Sequence, residues 1–208
     1  MTESLVVRCL PASPLSASQM ADSIESALAQ WNPRRDLWLF AYGSLMWNPT
    51  FPYLERVSAR IYGYHRSFCL WSRINRGTPE NPGLVLALTR GGSCRGFAYR
   101  IARDDVLTIM DPLWQREMLF GSYHPSWLPC HLPNRVVAAL GFVINPQASG
   151  FTGPITEAQR VSCIASAEGR YGTAAEYLFK TVESLDALGI VDSGLHALAD
   201  RVMRKVRR

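Results

Sequence analysis

No apolar run in this chain is long enough to cross a bilayer as a helix, so a helical membrane anchor is not expected. Charge is sparse: Asp, Glu, Lys and Arg make up 19% of the 208 residues against 48% hydrophobic, the balance of a chain that buries a core rather than one that stays disordered. Cysteine is scarce and unpaired in pattern. Cys9, Cys69, Cys94, Cys130 and Cys163 are odd in number and none forms C-x-x-C, which argues against a disulfide framework and against structural zinc. The four histidines are scattered and no H-E-x-x-H occurs, so no metal site is expected. Internal repeats and low-complexity stretches are missing. Met1 to Ala12 lack the apolar centre of a secretory signal, which makes the cytoplasm the expected compartment.

The net charge of +5 is concentrated at one end. Arg201, Arg204, Lys205, Arg207 and Arg208 account for all of it, and a basic last turn suits the negative pole of a helix. No basic and aromatic residues interleave, so no nucleic-acid partner is expected. Such a partner would require binding that weakens steeply with salt and is lost when 201–208 are deleted.

Residues 1–35 read as a peripheral segment with one short helix, because Ser16-x-x-Gln19 forms a capping-box pattern ahead of Met20, Ile24, Ala27 and Leu28. Residues 36–208 read as one domain. Leu37–Ala41 is expected as a buried strand, followed by strands at Val57–Tyr64, Phe68–Ser72, Leu84–Leu88 and Gly96–Ile101. Gly91-Gly92 reads as a hairpin turn, and Arg73–Gly83 as a long polar loop of the kind that carries function. Helical spacing governs 103–119, kinked or split at Pro112. Strands near 127–132 and 135–144 precede a helical C-terminal third, whose starts are signalled by Thr156-x-x-Gln159, Thr173-x-x-Glu176 and Asp192.

Two places carry chemistry. Tyr42-Gly43-Ser44-Leu45 follows the first apolar strand, and a glycine with a small hydroxyl residue there leaves backbone N–H groups bare, a nest for an anion or an oxyanion. Glu117 shares one helical stripe with Val106, Met110 and Leu113. A carboxyl on an apolar stripe is desolvated and its pKa rises. The alternative for Glu117 is an arginine pair on a solvated face. Ser44 is read as a binding residue, with a turn hydroxyl or a nucleophile as alternatives; no G-x-S-x-G elbow surrounds it. Arg73 and Arg76 are either a carboxylate clamp or a solvated loop pair. Trp38, Trp47, Trp71 and Trp114 are expected in the core, as are Cys69 and Cys94.

Beyond these two places, Trp38 to Pro49, Gly63 to Leu70, Arg76-Gly77-Thr78, Pro82-Gly83, Gly96 to Arg100, Trp114 to Met118, Gly121-Ser122-Tyr123 and Glu176-Tyr177-Leu178 recur in an order and spacing that resembles the ChaC-like family of glutathione-specific γ-glutamylcyclotransferases. The resemblance implies an α+β fold, a small mixed β-barrel with helices packed around it and a helical C-terminal segment. It also implies cleavage of glutathione to 5-oxoproline and cysteinylglycine without a cofactor. By match of motif, Glu117 is the catalytic residue and Phe40, Ala41, Tyr42, Gly43, Ser44 and Leu45 bind substrate. Tyr123 is read as a further contact, or else as a core aromatic. Ala41 stands where relatives often carry glycine; within a strand that exchange is harmless. The rival readings are another γ-glutamyl substrate, or a non-catalytic binding protein using the same cleft. Oligomeric state is not legible.

Overall fold

The computed structural model describes residues 13–207. Cys9, the Met1–Ala12 segment and Arg208 of the basic tail lie outside them. Five strands close into a barrel in the order β1 (Leu37–Ala41), β3 (Gly83–Ile101), β2 (Glu55–Ser72), β4 (Tyr123–His131) and β5 (Val136–Ile144). Neighbours in this order run antiparallel except where β5 closes on β1 in parallel, through Trp38 opposite Ala139 and Leu39 opposite Leu140; β5 also pairs in parallel with β3, through Val143 opposite Leu88. The parallel pairings make the barrel mixed. β1 is buried at every position, the pattern of a strand covered on both faces, which needs no polar alternation.

The expected four strands between 57 and 101 are two long ones. β2 and β3 pair from Glu55 opposite Arg100 to Ser72 opposite Gly83, with the register shifting between Tyr62 and Tyr64. Gly91 and Gly92 are therefore not a hairpin turn. They and Gly63 take positive φ side by side in the paired strands, which produces a bulge instead of a reversal. The actual reversal is the 73–82 loop.

α1 (Ala17–Leu28) starts with both halves of its capping box formed by Ser16 and Gln19. It docks on the barrel side through Met20 and Ala27, through a Trp114 Nε1 donation to Ser23 Oγ and through a Trp127 Nε1 donation to Ala27 O. α2 (Val106–Glu117) runs unbroken through Pro112. An interior proline costs about 3 kcal/mol. The buried side chains of Val106, Met110, Leu113 and Trp114, at about 1.5–3 kcal/mol each, outweigh that cost. α3 (Glu157–Ser166), α4 (Ala174–Asp186) and α5 (Ser193–Val206) pack on one another, with a two-stranded hairpin, β6 (Glu168–Gly169) and β7 (Gly172–Thr173), leading into α4. Thr173 caps α4 and Asp192 caps α5. The basic end of α5 is tied down: Arg201 pairs with Glu157, and Lys205 donates to Ser162 Oγ. Among the described residues no helix is long and apolar enough to cross a membrane.

Candidate active site

β1 delivers the chain into a single 3-10 turn, Ser44–Met46, and the hydrogen bonding of this bend is one-sided. Every carbonyl from Tyr42 to Met46 has a donor. Arg66 Nη1 donates to Tyr42 O at 3.1 Å, Met46 N to Gly43 O, Asn48 N to Ser44 O, and Tyr99 Oη to both Leu45 O and Met46 O. The amides of Gly43, Ser44 and Leu45 donate to nothing among the described residues, as befits the opening of a helical turn. The bend thus presents an electropositive edge. Gly43 is required by close approach: a Cβ there would stand 2.8 Å from Tyr177 Oη. Gly43→Ala is expected to destabilise the fold by about 1–3 kcal/mol through this overlap, read by urea denaturation. Adding Tyr177→Phe, which removes the offending oxygen, should recover most of the loss; a double variant no better than the single one would disprove this origin.

Glu117 is the last residue of α2, and its side chain is only 15% exposed. Its carboxyl sits at the negative pole of the helix and largely out of water, both of which disfavour the charged form. Burial raises its pKa above the ordinary carboxylate value, and the Arg116 guanidinium pulls it part of the way back. Arg116 Nε lies 3.0 Å from Glu117 Oε1, but the alignment is that of an ion pair and not of a hydrogen bond, so Oε1 has no donor among the described residues. The same guanidinium donates from Nη2 to Ser44 Oγ at 2.9 Å and from Nη1 to Asn48 O at 2.7 Å. One planar group therefore spans from the carboxyl to the bend.

Three phenols complete the surroundings. Burial first pushes Tyr42 and Tyr123 far above the usual tyrosine range, with Tyr123 and then Glu117 adding to it at Tyr42, and Glu117 and then Tyr177 at Tyr123; burial also raises Tyr177. All three remain protonated. Tyr42 donates to Phe142 O at 2.7 Å and Tyr123 to Leu86 O at 3.2 Å. Tyr177 Oη instead accepts from Leu86 N at 3.4 Å, which leaves its own proton uncommitted among the described residues.

The residues singled out in sequence divide by what they can offer. Phe40 and Ala41 are fully buried, with Phe40 stacked near Tyr42, so only their backbones are available. Ala41 ends β1 without positive φ, and alanine is harmless there. Trp38 and Trp114 are core, whereas Trp47 and Trp71 are only partly buried. Cys69 and Cys94 are buried in strands and burial raises both thiols, Cys69 to about 11. Arg116 escaped the sequence reading, being legible only as the neighbour of Glu117. Tyr177 was read there as a weaker candidate contact than Tyr123, and its place against Gly43 came only with the fold. A separate groove of about 520 Å³ borders Arg66, Leu86 and Asp192 but is lined by neither Glu117 nor the 42–45 bend.

Residues 37–205 match the family described as ChaC-like protein. A glutathione-specific gamma-glutamylcyclotransferase of Escherichia coli (strain K12) is 40% identical over 185 residues, covering 88% of this chain and 80% of that one. The glutathione-specific gamma-glutamylcyclotransferase 1 of Mus musculus is 31% identical over 196 residues, covering 91% and 87%. Among solved structures, a gamma-glutamyl cyclotransferase specific to glutathione from yeast superimposes with a TM-score of 0.76 over 82% of this chain and 96% of that one. At 23% identity that likeness speaks for the fold alone: a small mixed barrel with flanking helices, as the sequence implied.

Proposed function

The chain belongs to the ChaC-like family, and we propose that it is a glutathione-specific γ-glutamylcyclotransferase in which Glu117 is the general base and acid. The observation that carries the residue assignment is the pairing of a buried, donor-free carboxyl with a bend whose carbonyls are all occupied and whose amides are not.

In a γ-glutamyl group the α-amine can reach its own γ-carbonyl and close a five-membered ring. The enzyme therefore selects a conformer and need not assemble two molecules. The amine nitrogen bonds to the γ-carbon, and the bond from that carbon to the cysteine nitrogen breaks. The ammonium gives up two protons in becoming the ring amide, and the departing nitrogen gains two, so the reaction needs no outside acid, base or cofactor. Glu117 takes a proton from the amine and passes one to the leaving nitrogen. The amides of residues 43–45 hold the α-carboxylate or the tetrahedral oxyanion. Tyr123 and Tyr177 lie close enough to Glu117 to feel its charge, and the proton of Tyr177 is free to donate. Residues 36–208 form the catalytic unit, and the cytoplasm is the compartment we assign.

The test is incubation with glutathione, with a γ-glutamyl amino acid and with γ-glutamyl-lysine, followed by chromatographic assay of 5-oxoproline. Release from glutathione and not from the other two supports this reading. Release from the others reassigns the substrate, and no release from any overturns it.

A further inference from the structure

Glutathione carries two carboxylates, and the bend at 43–45 suits only the one beside the reacting amine. The second, on the glycine, lies at the far end of the leaving dipeptide and calls for a separate cation. Arg116 is fully committed to Glu117, Ser44 and Asn48.

Arg73 keeps Nε and Nη2 buried without a partner among the described residues, and Arg76 also keeps a free edge; Arg76 is the one that stands against the Trp47 and Tyr177 rings. It belongs to the 73–82 loop and is only 7% exposed, unusual for an arginine. Its guanidinium lies 5.8 Å from the ring centres of both Trp47 and Tyr177. Tyr177 is the residue whose hydroxyl abuts Gly43, so this cation lies against a ring that reaches the bend. One edge of the group is anchored: Nη1 donates to Thr173 O at 3.2 Å and to Glu176 Oε2 at 3.1 Å. Nε and Nη2, the edge that forms a bidentate fork, donate to nothing among the described residues.

The surrounding charge also favours an anion. Glu176 does not close the capping box that its spacing to Thr173 suggested. Its carboxylate is shared between Arg76 and Lys180, with Lys180 Nζ at 2.7 Å, and Lys180 also lies over the Trp47 ring at 5.4 Å. Two cations and one carboxylate around one indole leave a net positive charge. Glu176 thus acts as a splint that aims the arginine without neutralising the cluster.

We propose that Arg76 is the specificity-determining residue for the terminal carboxylate of the tripeptide, with Trp47 and Tyr177 as the walls along which the leaving dipeptide lies. The proposal rests on the activity assigned above and adds to it the feature that separates a peptide with a distal carboxylate from one without.

The experiment compares glutathione with its glycine monoethyl ester, which keeps every reacting atom and loses only the distal charge. The wild-type protein is expected to prefer glutathione by roughly 10- to 100-fold in kcat/KM, carried mainly by KM, the usual scale of a charge-assisted pair. In Arg76→Gln that preference should collapse, and Arg76→Lys should restore part of it. A general loss of structure would lower both substrates alike and leave their ratio intact, so the ratio separates recognition from folding. A preference retained in Arg76→Gln overturns the proposal, as does one that disappears in Arg73→Gln instead. Wild-type protein that releases 5-oxoproline equally from acid and ester also overturns it while leaving the assigned activity standing; no release from glutathione at all removes the activity itself.

Discussion

Glu117→Gln is expected to lower kcat by at least ~100-fold with little change in KM, because it removes the only proton carrier assigned to the site and keeps its shape. The same substitution is expected to make the protein more stable at neutral pH. Burial holds the Glu117 pKa above its ordinary value, so the fold favours the protonated carboxyl. A group raised in this way contributes stability that is fully present below its unfolded-state pKa and is lost as pH rises through the folded-state value. Above the unfolded-state value the wild-type fold must therefore either bury a charged carboxylate or take up a proton, a cost that glutamine does not carry. Thermal unfolding at neutral and acid pH checks the sign: the variant should melt higher at neutral pH, and the gap should narrow on acidification. Full activity in the variant would end the assignment. An inactive variant that melts below wild type at neutral pH would recast Glu117 as a structural partner of Arg116.

Arg116→Ala should produce the next largest effect, a loss of about 10- to 100-fold in kcat/KM, and it should also move the pH profile. Arg116 favours the charged form of Glu117 and so holds its pKa down against burial. Without the guanidinium the carboxyl ionises only at higher pH, and the acid limb of kcat/KM must shift upward. Arg116 also fastens the bend, through Ser44 and Asn48. Arg116→Lys separates the two contributions. It keeps a positive charge near Glu117 but cannot reach both loop acceptors with one planar fork. Its acid limb should stay near the wild-type position while its KM rises. If neither variant moves the acid limb, Arg116 does not tune Glu117 and serves only as a loop anchor.

Local sequence made much of this readable. Ser16 with Gln19 and Thr156 with Gln159 close their capping boxes because the bonds involve residues within one turn. The stripe of Val106, Met110, Leu113 and Glu117 exists because helical spacing alone puts them on one face. Errors occurred where a local signal met a long-range partner. A glycine pair between apolar runs suggests a reversal, yet with Gly63 opposite it on the paired strand Gly91-Gly92 becomes a bulge in a continuous ladder. Thr173 and Glu176 have capping-box spacing, yet Arg76, a hundred residues earlier in the chain, competes successfully for the carboxylate.

What the sequence by itself determined is the chemical inventory and its immediate geometry: a strand ending in a glycine-containing bend, and a carboxyl on an apolar helical stripe. These depend on backbone periodicity, which acts over a few residues. That the carboxyl and the bend come together in space was decided only when the chain folded. Folding brings the end of β1 within reach of the end of α2 through Arg116, sets Tyr177 of α4 against Gly43, and lays Arg76 against Tyr177. Each of those contacts joins residues far apart in the chain, and no spacing along it could have specified them.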